Sequence, residues 1–199
     1  MNRSLHIRLP AVAGMFYPAD AAELAREIQS YLAAVPATQA PAPKGLIVPH
    51  AGYVYSGAVA ASAYALLSLA RKTIRRVVLL GPAHRVPVRG LALPVAEAFA
   101  TPLGGVRIDA EGAAAALKLP QVTASDVAHN LEHSLEVQLP FLQTVLDDFT
   151  LLPFAVGAAT PTQVAEVLDL LWGGPETLIL ISSDLSHFHT YASAQGIDQ

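Results

Sequence analysis

The sequence predicts an α/β fold in which a mostly parallel or mixed central sheet is flanked by helices on both faces. Short apolar runs rich in β-branched residues occur at 45–48, 76–80 and 177–181, and such runs are typical of buried strands. Stretches with the helical spacing of apolar residues alternate with them. There is no internal repeat or low-complexity tract, and a length of 199 residues suits a single domain spanning residues 1–199.

The first half of the chain starts with an irregular, proline-containing lead-in, followed by a predicted helix over 21–34. Asp20 is in position to cap this helix, and Glu23 follows three residues later, as in a capping box. A Pro- and Ala-rich connector, 36–43, then leads into the first strand. An Ala- and Leu-rich stretch over 58–69 is predicted to be the next helix.

The second half continues the alternation of strands and helices. The Gly104-Gly105 pair indicates a hairpin, because glycine pairs favour the tight turns that join antiparallel strands. Further strands are predicted at 91–93 and 151–156, and further helices at 110–117 and 162–172.

One helix-like region, 125–146, carries several ionisable groups. His129 and His133 are four residues apart, as are Glu132 and Glu136, so each pair would share a face if the helix begins this early. An apolar stripe beside them is formed by Leu131, Leu135, Leu139 and Leu142. We therefore expect His129 on a solvated helix face, whereas His133, next to the stripe, is a candidate site residue.

Composition narrows the functional classes. Hydrophobic residues make up 53% of the chain and charged residues 14%, with a net charge of −4, so we expect no nucleic-acid partner. The sequence contains no cysteine, which excludes disulfides and thiolate ligands within it. We expect neither a signal peptide nor a membrane partner, because the longest apolar stretch, 58–70, is shorter than the ~20 residues that span a bilayer. The expected location is the cytoplasm.

Three predicted strands end in small-residue turns that carry histidine. His50 follows the strand at 45–48 and His84 follows the second, while Asp184 and His187 follow the third. If these strands are parallel neighbours, their ends converge at the sheet edge where α/β proteins bind ligands. The sequence therefore predicts a shared site there.

Several chemistries suit such a site. Two histidines and a carboxylate are typical of non-haem iron(II), and zinc or copper also bind imidazole. A histidine that is not bound to metal would act as an acid or base near neutral pH. Alternatively, the histidines only cap strand ends, and Asp184 caps the turn that follows it.

Two other catalytic classes are disfavoured. Neither GxGxxG nor GxxxxGK[ST] occurs, which argues against a phosphate-binding loop. Ser183, Asp184 and His187 are too close in sequence for confidence in a hydrolase triad, and no GxSxG elbow is present.

Four motifs lie in order along nearly the whole chain: 49–57 (PHAGYVYSG), 81–84 (GPAH), 132–140 (EHSLEVQLP) and 182–187 (SSDLSH). Together they resemble the MEMO family, whose bacterial and archaeal members are called AmmeMemoRadiSam system protein B. The lead-in 13–18 (AGMFYP) resembles that family's start as well.

The MEMO family is similar in fold to the class III extradiol dioxygenases, which open catechol rings with iron(II) and O2. The resemblance implies that His50 and His84 are metal ligands, with iron(II) favoured and copper or zinc as alternatives. It implies that Asp184 and His187 line the pocket, with His187 at the place of the dioxygenase acid/base. His133 would be a further pocket residue.

The sequence departs from the family pattern at its C-terminus. Family members are usually longer and carry a Cys-Gly-containing motif that supplies the third metal ligand, whereas the dioxygenases use a glutamate. This chain stops at Gln199 without a cysteine. We expect it to be truncated at the C-terminus and to lack that ligand.

The resemblance supports three functional hypotheses. One is a metal-dependent, dioxygenase-like oxidoreductase that acts on an unidentified small molecule. The second is a non-catalytic metal- or peptide-binding protein that uses the same cleft. This second protein would act with AMMECR1-like and radical-SAM proteins, the partners that the resemblance implies. A third hypothesis is a purely structural subunit that works beside the same partners.

Overall fold

The structure is a computed structural model that describes residues 5–198. Residues 1–4 and Gln199, which belong to the predicted single domain, lie outside the described part. The strands are β1 (Ile7–Arg8), β2 (Gly45–Val48), β3 (Arg76–Pro82), β4 (Leu91–Leu93), β5 (Ala98–Thr101), β6 (Gly104–Arg107), β7 (Val122–Ala124), β8 (Thr150–Val156) and β9 (Thr177–Ser182). The α-helices are α1 (Ala21–Ala33), α2 (Tyr53–Tyr64), α3 (Ala110–Ala116), α4 (Leu139–Val145), α5 (Pro161–Leu171) and α6 (Tyr191–Ile197).

The main sheet has six strands in the order β2-β9-β3-β8-β4-β7. Every neighbouring pair is parallel except β4 and β8, which run antiparallel. A smaller sheet joins β1, β5 and β6, and its β5–β6 hairpin is the one that the sequence predicted around Gly104. The prediction of a mostly parallel, mixed sheet is confirmed.

Helices cover both faces of the main sheet. Successive side chains of a strand point to opposite faces, so an apolar strand contributes to a core on each side. On β3, Val77 and Leu79 belong to the core formed with α1, α2 and α4. Val78 and Leu80 belong to a second core, formed with α3 and α5. The near-continuous burial of β3 is typical of a strand covered on both sides.

The first helix begins where the sequence predicted. The Asp20 side chain accepts a hydrogen bond of 2.8 Å from the backbone N–H of Glu23, which satisfies one of the free donors of the first turn. The buried residues of α1, Leu24 and Ile28, lie one turn apart and belong to the core shared with α2 and α4.

The second helix begins at Tyr53, five residues earlier than predicted. The sequence did not indicate this start, because the first turn contains aromatic and β-branched residues that have low helix propensity. It continues into a 3-10 helix, Ala65–Ala70. The helical run of 18 residues, Tyr53–Ala70, is long and apolar enough to cross a membrane by length and composition, so the sequence estimate of its length was too short. Tyr53, Tyr64 and Leu67 are buried in the core, as in a helix that packs inside a folded domain.

The predicted helix over 125–146 is wrong in its first half. Only α4 and two short 3-10 helices, Asp126–Ala128 and Glu136–Gln138, form within it. His129 is 1% exposed, which contradicts the expected solvated face. Its Nε2 donates to the Ala92 carbonyl oxygen at 2.9 Å, and its ring meets Phe99 edge-on at 5.7 Å, so tertiary contacts bury it.

This buried histidine makes the stability of the fold depend on pH. A carbonyl oxygen only accepts, so His129 Nε2 carries the proton, and Nδ1 is buried without a hydrogen bond to any described residue. Burial lowers the pKa of His129 from 6.5 to about 4. Between those values the unfolded chain binds a proton that the folded chain does not, so stability falls as pH falls.

We predict that the free energy of unfolding drops by about 3 kcal/mol between pH 6.5 and 4 through this group. His129→Gln, which keeps a donor for the Ala92 oxygen, should flatten that slope. Urea titrations at several pH values measure the free energy of unfolding, and His189→Gln, at an exposed position, is the control. Equal slopes in the two variants would contradict the assignment.

Candidate metal centre

The strands β2, β9 and β3 are parallel neighbours, and their carboxyl ends form one edge of the sheet. His50, Asp184 and His84 each lie two residues beyond the last residue of one of these strands. The convergence predicted from the sequence is confirmed, since three separate strand ends deliver polar side chains to the same edge.

Three imidazole rings meet there. The ring centroids of His50 and His84 are 5.3 Å apart, and that of His133 lies 5.7 Å from the first and 4.8 Å from the second. One nitrogen from each ring lies within 4.8 Å of the others. His133 reaches the cluster from the irregular segment between the two short 3-10 helices, rather than from a helix face.

Ser182 fixes the tautomer of His50. The Ser182 hydroxyl donates its only proton to the Ser134 carbonyl oxygen at 2.5 Å and accepts from Gln138 Nε2 at 2.8 Å. It can therefore only accept from His50 Nδ1, which lies 3.0 Å away. With the proton on Nδ1, His50 Nε2 keeps a free lone pair.

Glu132 fixes His84 in the same way. Its carboxylate accepts from the His84 backbone N–H at 2.6 Å and from His84 Nδ1 at 2.9 Å, and also from the N–H groups of His133 and Ser134. Burial would raise the pKa of Glu132, but these hydrogen bonds outweigh burial and lower the pKa to about 2. The acid is thus a carboxylate that only accepts, so His84 Nε2 has its lone pair free.

His133 supplies the third donor. Its Nδ1 is buried and makes no hydrogen bond with any residue between 5 and 198, and its ring packs against Phe16 at 4.8 Å. Burial lowers the pKa of both His133 and His50, which favours the neutral imidazole. Neutral imidazole is the form that binds a metal ion.

The cluster is open on one side. The exposed fraction of the side chain rises from 5% for His50 to 15% for His133 and 39% for His84. A small molecule can therefore approach from the side of His84.

Asp184 lies beside the cluster and links it to His187. One Asp184 oxygen accepts from the His50 backbone N–H at 2.6 Å, and the other lies 3.0 Å from His187 Nε2 and 3.7 Å from His50 Nε2. Burial would raise the pKa of Asp184, but the hydrogen bond from His50 and the neighbouring histidines lower it. The His187 side chain is 53% exposed and is joined to the site through Asp184.

Sequence reasoning missed two residues of this site, Glu132 and Ser182. Each is buried and holds one histidine. Glu132 directly precedes His133, and Ser182 is the last residue of an otherwise apolar strand, but neither position reveals the long-range partner. Only the hydrogen bonds identify them.

A family model described as "Memo-like protein" matches residues 8–199. The chain belongs to the Memo family. A MEMO1 family protein of Aquifex aeolicus is 38% identical over 200 residues, covering 98% of this chain and 73% of the relative. One from Ignicoccus hospitalis is 38% identical, covering 93% and 70%, and one from Methanosarcina mazei is 37% identical, covering 98% and 72%.

The residues of this Memo protein fit a metal ion. Three imidazoles form a group that can hold a divalent cation. Ser182 and Glu132 orient the rings of His50 and His84 through Nδ1, and His133 Nδ1 is buried 3.5 Å from the Glu132 carboxylate, without a hydrogen bond to a described residue. Imidazole donors suit zinc, copper and iron. The third ligand expected from a cysteine motif stays a prediction, and among residues 5–198 the third donor at the cluster is His133.

Ser182→Ala tests the tautomer assignment. Removing the acceptor of His50 Nδ1 should weaken metal binding about 10- to 100-fold, as loss of a hydrogen bond to a ligating histidine generally does. Titration with zinc against a chromogenic chelator measures the affinity. Ser183→Ala, its exposed neighbour, should bind as the wild type does, and equal affinities in both variants would refute the role of Ser182.

Proposed function

We propose that this Memo protein is a metal-dependent oxidoreductase that holds iron(II) on His50, His84 and His133. The observation that supports the proposal most directly is the pair of acceptors, Ser182 and Glu132, which bind Nδ1 of His50 and of His84 in a group of three histidines that could hold a metal ion. Histidines that only cap strand ends would not need their outer nitrogens to be oriented in this way.

Iron(II) is the proposed metal because imidazole donors suit it and because the MEMO family, which the sequence resembles, is expected to share its fold with the class III extradiol dioxygenases. When bound, iron(II) would supply the capacity to react with O2 and to polarise a substrate. The open side of the cluster, at His84, leaves room for a small molecule. We propose an electron-rich aromatic compound, such as a catechol, as the substrate class.

In this proposal His187 moves protons. The Asp184 carboxylate accepts a hydrogen bond from His187 Nε2, which holds the ring in place and leaves Nδ1 available. The half-exposed ring can then exchange a proton with a substrate through Nδ1. Asp184 also accepts from the His50 backbone, so one carboxylate sets the distance between the proton carrier and the metal ligands.

The second candidate is a non-catalytic protein that binds a metal or a peptide in the same cleft, with AMMECR1-like and radical-SAM proteins as partners. The exposed side chains of Val54 and Tyr55 favour peptide binding. They follow His50 closely in the chain and offer two large apolar surfaces to a peptide. Metal binding without turnover of any aromatic substrate would favour this candidate.

Metal content tests the centre. Protein purified without oxygen should contain close to one iron per chain, and His50→Ala, His84→Ala and His133→Ala should each lose most of it because two imidazoles bind a divalent ion more weakly than three. His189→Ala, at an exposed position, serves as the control. Wild-type protein that neither contains nor takes up a metal would refute the proposal.

Turnover tests the role of His187. If wild-type protein consumes O2 with a catechol, His187→Ala should lower the rate at least about 100-fold, the usual contribution of a positioned acid or base. The iron content should stay at the wild-type level, because His187 lies outside the group of three ligands. Unchanged turnover in this variant would assign proton transfer to another group.

A further inference from the structure

The N-terminal arm, residues 8–17, is fixed to the rest of the protein by a buried ion pair between Arg8 and Glu136. The exposed fractions of the two side chains are 2% and 0%. The Glu136 carboxylate accepts four hydrogen bonds, all from the arm, and the donors are Arg8 Nη1, the Ala11 N–H at 2.8 Å, the Val12 N–H at 3.0 Å and the Tyr17 hydroxyl at 2.5 Å.

The Arg8 guanidinium also holds the segment that carries His133. Its Nε and Nη2 donate to the His129 carbonyl oxygen at 3.0 and 2.9 Å, and Nη2 donates to the Glu132 carbonyl oxygen at 2.7 Å. The Arg8 side chain thus contacts three residues, His129, Glu132 and Glu136, within a segment of eight. These points lie on both sides of His133, in a segment that has no regular helix to fix it.

The other end of the arm contacts both histidine-bearing segments. The Phe16 ring packs against the His133 ring at 4.8 Å. The Phe16 carbonyl oxygen accepts from the Tyr53 N–H at 2.8 Å, at the start of α2 and three residues after His50. The arm therefore lies between the segments that deliver His50 and His133.

Stability alone is a weak reason for such an ion pair. Desolvation of two buried charges offsets most of their attraction, and apolar residues of similar volume often stabilise a core equally well. The planar fork of arginine, in contrast, reaches several acceptors at once in a fixed geometry that lysine cannot reproduce. The contacts of Arg8 are therefore better suited to orienting the segment that carries His133 than to adding stability.

We propose that Arg8 and Glu136 are positioning residues for His133, so that docking of the N-terminal arm and metal binding at the histidine cluster are thermodynamically coupled. This inference rests on the proposed metal centre and adds to it the part of the chain that controls its assembly. Coupling is reciprocal: if the docked arm favours metal binding, bound metal must favour the docked arm.

Arg8→Lys is the variant that tests this coupling. Lysine keeps the charge opposite Glu136 but cannot donate to both carbonyl oxygens in the same geometry. Cobalt(II) is the probe, because its visible absorption bands report the ligands around the ion. Cobalt affinity should fall about 10- to 100-fold, and the bands should change, in protein that is folded by circular dichroism.

Arg76→Lys is the matched control. Arg76 Nε contacts Asp109 at 2.6 Å, in a partly buried ion pair at the amino end of β3, opposite the histidine cluster. This variant should lose a comparable amount of stability and keep wild-type cobalt affinity. Equal cobalt affinities in Arg8→Lys and Arg76→Lys would overturn the inference while leaving the metal centre intact.

Hydrogen exchange of the wild-type protein tests the coupling without any variant. The amides of Ala11 and Val12, which donate to Glu136, should exchange several-fold more slowly when cobalt is bound. Unchanged exchange at both amides under saturating cobalt would overturn the coupling. Wild-type protein that binds no cobalt would overturn the proposed metal centre, and the inference with it.

Discussion

Parallel neighbours in a sheet end at the same edge, and here β2, β9 and β3 each place a polar residue two positions beyond that end. This pairing alone brings His50, Asp184 and His84 together from positions more than 30 residues apart in the chain. The two apolar cores on either face hold the strands in register. The sheet therefore sets the positions of these three residues, and the remaining residues of the site come from elsewhere in the chain.

Glu132 and His133 come from the segment 125–138. Hydrogen bonds to polar side chains, and not those of a regular helix, hold the conformation of this segment. Between 125 and 138 the buried carboxylates of Glu132 and Glu136 accept from backbone N–H groups and from the side chains of Arg8 and His84. Buried carboxylates are costly unless hydrogen-bonded, and here they are fully surrounded by donors. The network specifies one conformation of the segment and fixes His133 within it.

Membership of the Memo family covers nearly the whole chain, but the family alone assigns no chemistry. The proposed chemistry rests on geometry: two histidines oriented through Nδ1, a third whose buried Nδ1 makes no hydrogen bond with a described residue, and an Asp184–His187 pair beside them. In the proposed function, the Asp184 carboxylate would serve His187 as the proton carrier, and the Glu132 carboxylate would serve His84 as a metal ligand. Each carboxylate keeps its charge because hydrogen bonds outweigh the effect of burial on its pKa.

The sequence by itself determined most strands and helices, the mixed parallel sheet and the convergence of His50, His84 and Asp184, because apolar periodicity and turn residues are local signals. It did not indicate the short strands β1 and β7. It misplaced the start of α2, treated 125–138 as helix and put His129 in solvent. Tertiary structure decided these points. The hydrogen-bond partners that shape 125–138 are far apart in sequence: Arg8 and Glu136, for example, are 128 residues apart. No local pattern encodes a hydrogen bond over that separation.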